Sequence, residues 1–270
     1  MLWDIGNKKS VQGVITGELL PLTNNDIVVN QNGIDFIVNI ETDNMKIKHS
    51  PSVTMHDPFL SPYSPTVFIN DIGLNHVCIL NKFPIVVPHL LICAKDYIPQ
   101  TSPLILSDFK AWLEGFSDSG VLGFFNSGAI AGSSQMHRHM QLIRTSLPLE
   151  SAILNGQLPF KHELLLLDDL NPEHLYQQYL AVMDKMQLYT SSTVNGLTEC
   201  LPYNILLTNR WMLIIPRTTS EGGTVKGHGV NFIGRFLVGS REQLQWLTNY
   251  GFMHFLTHCG VVNWLNSTIK

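Results

Sequence analysis

The chain has 270 residues, of which 44% are hydrophobic and 14% charged, and its formal net charge is −4. This length and composition predict a folded protein with a sizeable core and argue against a disordered chain. The mild negative charge offers no concentrated basic surface for nucleic acid, and no apolar run approaches the roughly 20 residues that a membrane-spanning helix needs.

The cysteines and the first residues point to an intracellular compartment. The four cysteines are scattered and form no CxxC pair. Cys78 and Cys93 lie in apolar strand-like segments, where cysteine ordinarily packs as a small hydrophobe. Residues 1–4 have neither the charged nor the apolar region of a secretory signal. We therefore expect reduced cysteines in a cytoplasmic protein that binds neither nucleic acid nor membrane.

Strands and turns dominate the predicted first half. Residues 34–40 alternate between an apolar and a polar face, which predicts a strand. Residues 50–65 form a loop rich in proline and serine. Two apolar strands are predicted at 76–80 and 90–94, and the two prolines of the segment 81–88 require a bend between them.

Helices enter in the middle of the chain. One is predicted to begin at Ser107 and to end near Gly120, and a short strand follows at 121–125. A second helix begins after Asn171, with Pro172 at its first helical position. Its apolar residues recur at helical spacing, which predicts a stripe facing the core: Leu175, Tyr179, Met183 and Met186.

The last third alternates short strands with turns and ends in a helix. Small polar residues predict a linker at 191–196. The segments that follow are strands at 203–207 and 211–215, a glycine-rich loop at 221–229, a strand at 232–238 and a helix at 241–255. This mixture predicts an α+β fold in two parts, residues 1–190 and residues 191–270.

The most informative segment is residues 132–141, a small polar turn that leads into a predicted strand. Side chains alternate along a strand, so His137, His139 and Gln141 share one face. A turn rich in glycine and serine offers backbone N–H groups to an anion beside an imidazole nucleophile. Because the reference pKa of histidine is about 6.5, a neutral ring that can attack phosphorus is abundant near pH 7.

Zinc binding is the alternative interpretation of the two histidines. It requires a third ligand, and no cysteine or acidic residue follows at a short spacing. Gln141 is a poor zinc ligand, whereas its amide donates to a phosphoryl oxygen without adding charge. The pattern favours phosphate chemistry, with His139 as nucleophile and His137 in a positioning role or in contact with the leaving group. The donors for the phosphoryl oxygens are then the N–H groups of residues 132–135, the hydroxyls of Ser133 and Ser134, and the Gln141 amide.

Asn126 and the pattern Gly132-x-Ser134-Gln135-x-His137-x-His139-x-Gln141 resemble the active-site signature of the ATP adenylyltransferases, or diadenosine tetraphosphate phosphorylases. These form a branch of the histidine-triad superfamily related to galactose-1-phosphate uridylyltransferase. Residues 80–86 and 211–217 are similar to two further stretches of the family, so the resemblance spans about residues 68–240. It implies a histidine-triad-like antiparallel sheet with flanking helices, in which residues 1–190 form the catalytic domain and residues 191–270 complete the fold.

The resemblance implies a ping-pong reaction on diadenosine tetraphosphate. His139 would take AMP and release ATP, and phosphate would then attack the adenylyl-histidine to release ADP. Gln141 stands where histidine-triad hydrolases have a third histidine, which favours phosphorolysis over hydrolysis. The substrate-binding positions that the family pattern implies, besides Gln141, are Lys48, Asn81, Lys82, Asn126, Gly132, Ser133, Ser134 and Gln135.

The same resemblance implies which ligands accompany the reaction. A divalent cation such as Mg²⁺ is expected on the polyphosphate rather than in a protein cage, and no organic cofactor is expected. The partners are a dinucleoside polyphosphate and phosphate. Lys46 is close enough in sequence to compete with Lys48 for the role of substrate-binding lysine. The oligomeric state stays open.

The chain departs from the family pattern over residues 228–239. The family has Asn-Ser-x-Gly-Phe-Ala-Gly, then an apolar run and a lysine, whereas residues 228–234 read His-Gly-Val-Asn-Phe-Ile-Gly and Gly239 replaces the lysine. Arg235 either supplies the lost charge from a new position or is a solvated strand residue. The departure keeps two alternatives open: a sister phosphorylase acting on a GDP-sugar, and a nucleotide-binding protein without turnover.

Overall fold

An antiparallel sheet with helices packed against it organises the computed structural model, which describes residues 1–23, 25–48, 57–116 and 120–262. The helices are α1 (Leu2–Thr16), α2 (Asn44–Lys48), α3 (Leu106–Leu113), α4 (Glu150–Leu154), α5 (Pro172–Lys185), α6 (Arg241–Tyr250) and α7 (Phe252–Cys259). The strands are β1 (Ile27–Gln31), β2 (Ile34–Ile40), β3 (Phe68–Ile72), β4 (His76–Leu80), β5 (Leu90–Ala94), β6 (Val121–Asn126), β7 (His139–Arg144), β8 (Glu163–Leu166), β9 (Tyr189–Val194), β10 (Leu197–Cys200), β11 (Tyr203–Leu207), β12 (Trp211–Pro216), β13 (Glu221–Gly222), β14 (Val225–Lys226) and β15 (Arg235–Val238).

Strand β7, the motif strand, begins at His139 and lies inside the main sheet, whereas His137 precedes it and forms an isolated bridge with Pro99. The order of the eight strands is β3-β4-β5-β7-β6-β11-β12-β8, so β7 has a neighbour on each side. Its register is set by Cys93 opposite His139 on one side and by Phe124 opposite Gln141 on the other. Strands β11 and β12, from the second half of the chain, pair into the same sheet, which confirms the predicted α+β fold.

Both faces of the sheet are covered by apolar packing. One core contains side chains of α1, α3 and α5, among them the predicted stripe of Leu175, Tyr179, Met183 and Met186. The helix α5 begins as predicted, because the side chain of Asn171 accepts a hydrogen bond from the His174 N–H. The second core lies on the other face, under α4, α6, α7 and the small sheet β1-β2-β15.

The helix α1 is absent from the sequence prediction, and its buried stripe explains why. The residues that face the core include Gly6, Ser10 and Gly13, which carry no hydrophobic periodicity. Small residues are needed there, since a Cβ at Gly6 would lie 2.9 Å from the side chain of Leu90. Close packing, rather than apolar burial alone, selects these residues.

Three predictions for the second half need correction. The expected linker at 191–196 is part of the β9–β10 hairpin, whose turn residues Asn195 and Gly196 have the positive φ values that such two-residue turns require. The expected strand at 232–238 begins as a 3₁₀ helix, Gly229–Ile233, because Phe232 packs inward from that turn. The expected closing helix is broken at Gly251, where φ is +95°. The division of the chain at residue 190 stays a prediction.

The predicted helix from Ser107 begins one residue earlier, after Ile105, whose N–H donates to the Asp108 carboxylate at 2.8 Å. It passes into a 3₁₀ turn at Glu114–Phe116, and residues 117–119 lie outside the described part. The predicted loop at 50–65 is described only from residue 57 onward, where it has neither helix nor strand.

All four cysteines are free and buried, and the burial of Cys78 and Cys93 agrees with the prediction from their apolar surroundings. No helix within the described ranges is both long and apolar enough to cross a membrane.

Candidate active site

A cavity of about 630 Å³ opens on the face of the sheet that carries His139 and Gln141. Apart from His137, all of the predicted site residues line it: Lys48, Asn81, Lys82, Asn126, Gly132, Ser133, Ser134, Gln135, His139, Gln141 and Arg235. The volume lies within the range of ordinary small-molecule sites. Lys48 and Arg235, which are 187 positions apart in the sequence, therefore line the same cavity.

The ring of His139 is held in one tautomer. Its Nδ1 lies 2.8 Å from the carbonyl oxygen of His137, which only accepts, so Nδ1 carries the proton and Nε2 keeps the lone pair. The backbone of His139 is fixed by the buried amide of Gln100, whose Oε1 accepts from the His139 N–H at 2.8 Å. The Gln100 Nε2 donates to the carbonyls of Asn126 and His139. The nucleophilic nitrogen is thus defined by hydrogen bonds to the backbone.

Burial keeps this ring neutral. It lowers the pKa of His139 to about 4, and the hydrogen bond to the His137 carbonyl opposes that shift only in part. The ring of Phe59 packs against the imidazole at 4.8 Å between centroids. At neutral pH His139 therefore presents an unprotonated nitrogen in a largely dry environment.

His137 has a different role from His139. Its Nε2 lies 2.9 Å from the carbonyl oxygen of Ala94, and its Nδ1 lies 2.7 Å from the Asp57 carboxylate. Both ring nitrogens therefore face acceptors, and the side chain does not line the cavity. This geometry supports the positioning role for His137 and leaves neither nitrogen free for a leaving group or for a shared zinc ion.

The opposite face of the motif strand carries a buried ion pair. The guanidinium of Arg138 donates to the Asp108 carboxylate at 2.8 Å and to the carbonyl of Ser102 at 2.9 Å. His76 donates from Nε2 to the other carboxylate oxygen at 2.8 Å. Asp108 and Arg138 are 0% and 1% exposed, so this network is inside the protein and not in the cavity.

The turn before the motif strand uses most of its own donors, contrary to expectation. The Gly132 N–H donates to the Ala129 carbonyl, the Ser133 N–H to the Gly128 carbonyl, and the Ser133 hydroxyl to the Gln135 carbonyl. The Gln135 N–H makes a long contact of 3.4 Å with the Ser133 hydroxyl. Within the described residues, Ser134 is the member of the turn whose N–H and hydroxyl both lack a protein partner, and it is exposed.

The turn packs against the segment that departs from the family pattern. Gly132 has a φ of +96°, and a Cβ there would lie 2.8 Å from the Gly227 carbonyl oxygen, so only glycine fits. The Nδ1 of His228 donates to the Gly132 carbonyl at 3.0 Å. His228 also lines the cavity, and burial lowers its pKa to about 4. The altered segment therefore builds the wall of the site.

Arg217 lies behind this wall and is 4% exposed. Its guanidinium donates to the carbonyls of Ala131, Gly227 and Cys259 and to Oδ1 of Asn204. The Nδ2 group of Asn204 in turn donates to Oδ1 of Asn126. Burial lowers the pKa of Arg217 to about 10, so the side chain stays cationic at neutral pH. No carboxylate forms an ion pair with it in the part of the chain that the structure describes.

The lysines divide into paired and unpaired groups. Lys46 is exposed and forms an ion pair with Asp43 at 2.7 Å. Lys48 lines the cavity, and burial lowers its pKa. Lys82 and Lys226 also line the cavity, and none of these three lysines forms an ion pair within the described ranges. The geometry thus favours Lys48 over Lys46, and it adds Lys226, which the sequence did not indicate.

Arg235 is buried, so it is not a solvated strand residue. Its guanidinium makes a bidentate contact with the Asp26 carboxylate at 3.0 and 2.9 Å and donates to Asn39 at 2.7 Å. The hydrogen bond from Arg235 is the main reason why the pKa of Asp26 is lowered. The charge of Arg235 is therefore already balanced by the protein, although the residue lines the cavity.

Two further side chains at the site, Gln100 and His89, were not predicted. Gln100 is 0% exposed and joins β6 to β7 through the hydrogen bonds described above. His89, which the sequence gave no reason to select, lies 3.0 Å from Gln141 and lines the cavity. The position of His89 could have indicated its role, because side chains two residues apart in an extended segment lie on the same face. Leu91 pairs with Gln141, so His89 lies on the face that carries the Gln141 side chain.

Acidification is expected to destabilise the protein through its buried neutral histidines. Burial lowers the pKa of His89 to about 3 and of His139 and His228 to about 4, whereas the unfolded value is about 6.5. Between pH 6.5 and pH 4 the unfolded chain binds more protons, so the free energy of unfolding falls as the pH falls through this window. We expect a loss of roughly 1 kcal/mol per histidine at pH 5.5, relative to pH 7.5, in urea unfolding curves.

The control for this measurement is His174→Gln, which removes a histidine with 74% side-chain exposure. His228→Gln should shrink the difference between pH 5.5 and pH 7.5, and His174→Gln should leave it unchanged. Equal stability of the unsubstituted protein at the two pH values would contradict the expectation.

Sequence comparison shows which class of protein has this fold and this cavity. A model described as the Ap4A phosphorylase N-terminal domain matches residues 1–165, and one described as the ATP adenylyltransferase C-terminal domain matches residues 156–262. Together with the cavity that His139 lines, these matches define a nucleotidyltransferase. The chain belongs to the Ap4A (diadenosine tetraphosphate) phosphorylase family.

Relatives in Saccharomyces cerevisiae agree with this assignment. The diadenosine 5',5'''-P1,P4-tetraphosphate phosphorylase 2 is 29% identical over 232 aligned positions, and the alignment covers 71% of each chain. Protein APA1 is 24% identical over 246 positions, with 77% of each chain covered. The crystal structure of yeast Ap4A phosphorylase Apa2 matches with a TM-score of 0.80 at 23% identity, covering 100% of this chain and 96% of that one. The structure of Apa2 in complex with Ap4A gives 0.77 at 22% identity, covering 97% and 98%, and both likenesses establish the fold.

Proposed function

We propose that the protein catalyses the phosphorolysis of diadenosine tetraphosphate to ATP and ADP through an adenylyl-histidine on His139. The observation that carries the proposal is the defined tautomer of His139, which leaves the Nε2 lone pair on a neutral ring that lines the cavity. The activity named for the relatives, together with family membership, supports the choice of substrate.

The reaction consists of two in-line displacements. Nε2 of His139 forms a bond to the phosphorus of one AMP moiety while the bond from that phosphorus to the bridging oxygen breaks, and ATP leaves with the electron pair. An oxygen of inorganic phosphate then attacks the same phosphorus. The P–N bond breaks, ADP is released, and the neutral ring of His139 is restored.

Donors that line the cavity with His139 and have no ion-pair partner in the described residues would stabilise negative charge on the phosphoryl oxygens. Ser134 supplies an N–H and a hydroxyl, and the lysines that line the cavity without ion pairs supply positive charge: Lys48, Lys82 and Lys226. Such donors stabilise charge most when they are fixed before the substrate arrives. An apolar wall of Phe59, Tyr63 and Leu91 lies beside them and fits a purine base.

A divalent cation on the polyphosphate is part of the proposal. The carboxylates of Glu41 and Glu221 line the cavity, and oxygen ligands of this kind suit Mg²⁺ bound partly by substrate phosphates. Burial raises the pKa of Glu41, while the charges of Lys226 and Lys48 lower it in part. In the described residues Glu41 forms no ion pair with a lysine, so its carboxylate is available to a cation. When bound, the cation would neutralise charge on the polyphosphate oxygens.

Incubation of the purified protein with diadenosine tetraphosphate, Mg²⁺ and phosphate tests the function. We expect ATP and ADP in equal amounts by chromatography and no product when phosphate is omitted. AMP formed without phosphate would indicate hydrolysis. Turnover of a GDP-sugar but not of diadenosine tetraphosphate would show that the protein is a GDP-sugar phosphorylase. Binding of the nucleotide without any product would indicate a nucleotide-binding protein.

Lys48 and Lys46 provide a matched pair for the polyphosphate contact. Lys48→Gln is expected to lower kcat/KM for diadenosine tetraphosphate by about 10- to 100-fold, the size of one hydrogen bond from a charged group. Lys46→Gln should stay within about twofold, because an exposed ion pair contributes little. Steady-state kinetics of the two variants decide the matter, and equal effects would contradict the assignment of Lys48.

A further inference from the structure

A chain of hydrogen bonds runs from the protein backbone to the amide of Gln141. It begins at Phe83, whose N–H donates to Oδ1 of Asn81 at 2.9 Å. An amide oxygen accepts and an amide nitrogen donates, so this contact fixes which end of Asn81 faces each way. The Nδ2 group of Asn81 is therefore turned toward His89.

The second link fixes the tautomer of His89. Nδ2 of Asn81 lies 3.2 Å from Nδ1 of His89, and since the amide nitrogen can only donate, Nδ1 is the acceptor. Burial lowers the pKa of His89 to about 3, so the ring is neutral and its single proton is on Nε2. His89 is 3% exposed, so little of the ring is accessible to water.

The third link reaches the motif strand. Nε2 of His89 lies 3.0 Å from Oε1 of Gln141 and donates to it. The backbone of Gln141 is held at the same time by pairing with Leu91 and by the Trp112 side chain, which donates to its carbonyl at 3.2 Å. The amide oxygen of Gln141 is therefore occupied, and its two N–H groups are left for the cavity.

We propose that His89 is a positioning residue that sets the orientation of the Gln141 amide, so that N–H groups rather than the oxygen face the phosphoryl group. The two orientations of an amide have nearly the same shape, so packing alone does not choose between them. The hydrogen bond from His89 makes the choice. The reversed orientation would direct a carbonyl oxygen at a negatively charged phosphoryl oxygen. The inference rests on the proposed function, in which Gln141 contacts that group.

Two substitutions of similar size separate the donor of His89 from its acceptor. The amide nitrogen of glutamine reaches the position of Nε2, so His89→Gln keeps a donor for Gln141. Asparagine reaches only the position of Nδ1, so His89→Asn keeps the contact with Asn81 and loses the donor. We expect His89→Asn to lose about tenfold or more in kcat/KM, and His89→Gln to stay within about threefold, in line with the range for one hydrogen bond to a charged group. Thermal unfolding of both variants checks that they fold alike.

A double-variant comparison shows whether His89 acts through Gln141. In a Gln141→Ala background, His89→Asn should cause no further loss, because the group that it orients is absent. Losses that multiply, or equal losses in His89→Asn and His89→Gln, would overturn the proposal.

The affinity for AMP, measured by calorimetry on the same variants, needs no turnover. It should weaken in His89→Asn and not in His89→Gln. If the unsubstituted protein shows no phosphorolysis, the proposed function fails, and the AMP affinities still decide the role of His89. Equal AMP affinities in the two variants would overturn it.

Discussion

His139→Ala is expected to abolish phosphorolysis, with a loss of at least about 10³-fold in kcat, because removal of a covalent nucleophile removes the reaction path and not only a contact. The measurement is the rate of ADP and ATP formation from diadenosine tetraphosphate. The same variant should fail to form an acid-labile, base-stable adduct with radiolabelled adenylate. The affinity for AMP should change much less than the rate.

His162→Ala is the matched control for this variant. The Nδ1 of His162 donates to the Phe160 carbonyl at 2.7 Å, which repeats the local geometry of His139 and His137. His162 does not line the cavity, so its removal tests the loss of an equivalent hydrogen bond without the chemistry. Wild-type turnover in His139→Ala, or a comparable loss in His162→Ala, would refute His139 as the nucleophile.

Asp108→Ala is expected to lower the free energy of unfolding by about 3–5 kcal/mol, because it leaves the buried guanidinium of Arg138 without its counter-charge. It also removes the acceptor for His76 and the contact that starts α3 at Ile105. Urea unfolding followed by tryptophan fluorescence measures the change.

Two further variants define the cause of that loss. Asp43→Ala removes an exposed ion pair with Lys46 and should cost less than about 1 kcal/mol. Adding Arg138→Met to Asp108→Ala should restore part of the stability, since a buried pair is replaced by an apolar side chain. If Asp108→Ala were as stable as Asp43→Ala, the buried network would have no structural role.

The motif strand and most of its neighbours were predictable from the sequence because hydrophobic periodicity is local. The strands at Ile34–Ile40, His76–Leu80 and Leu90–Ala94 and the core stripe of α5 follow from it directly. Helix α1 does not follow, because beyond Leu2 and Trp3 its buried residues are glycine and serine, whose packing depends on partners elsewhere in the chain.

The residues that line the site were more predictable from the sequence than the hydrogen-bond partners that these residues have in the fold. A turn of small polar residues beside His139 indicated backbone donors for a substrate. Three of its four N–H groups instead contact acceptors of the protein, in residues 128–133. The role of His89 depends on the register between β5 and β7, and the pairing of Arg235 with Asp26 joins residues 209 positions apart. Register and long-range pairing are properties of the folded chain, and a single sequence does not specify them.

The buried charge of Arg217 has an electrostatic consequence for the cavity. A buried guanidinium that donates to carbonyls and an amide, and is not paired with a carboxylate in the described residues, produces an outward electric field that no neighbouring anion cancels. This field lies behind the turn at Gly132, which lines the cavity where the proposed function places the polyphosphate. The free energy needed to bury Arg217 is supplied when the chain folds, so the attraction for a polyanion exists before any substrate is bound and requires no reorganisation during the reaction.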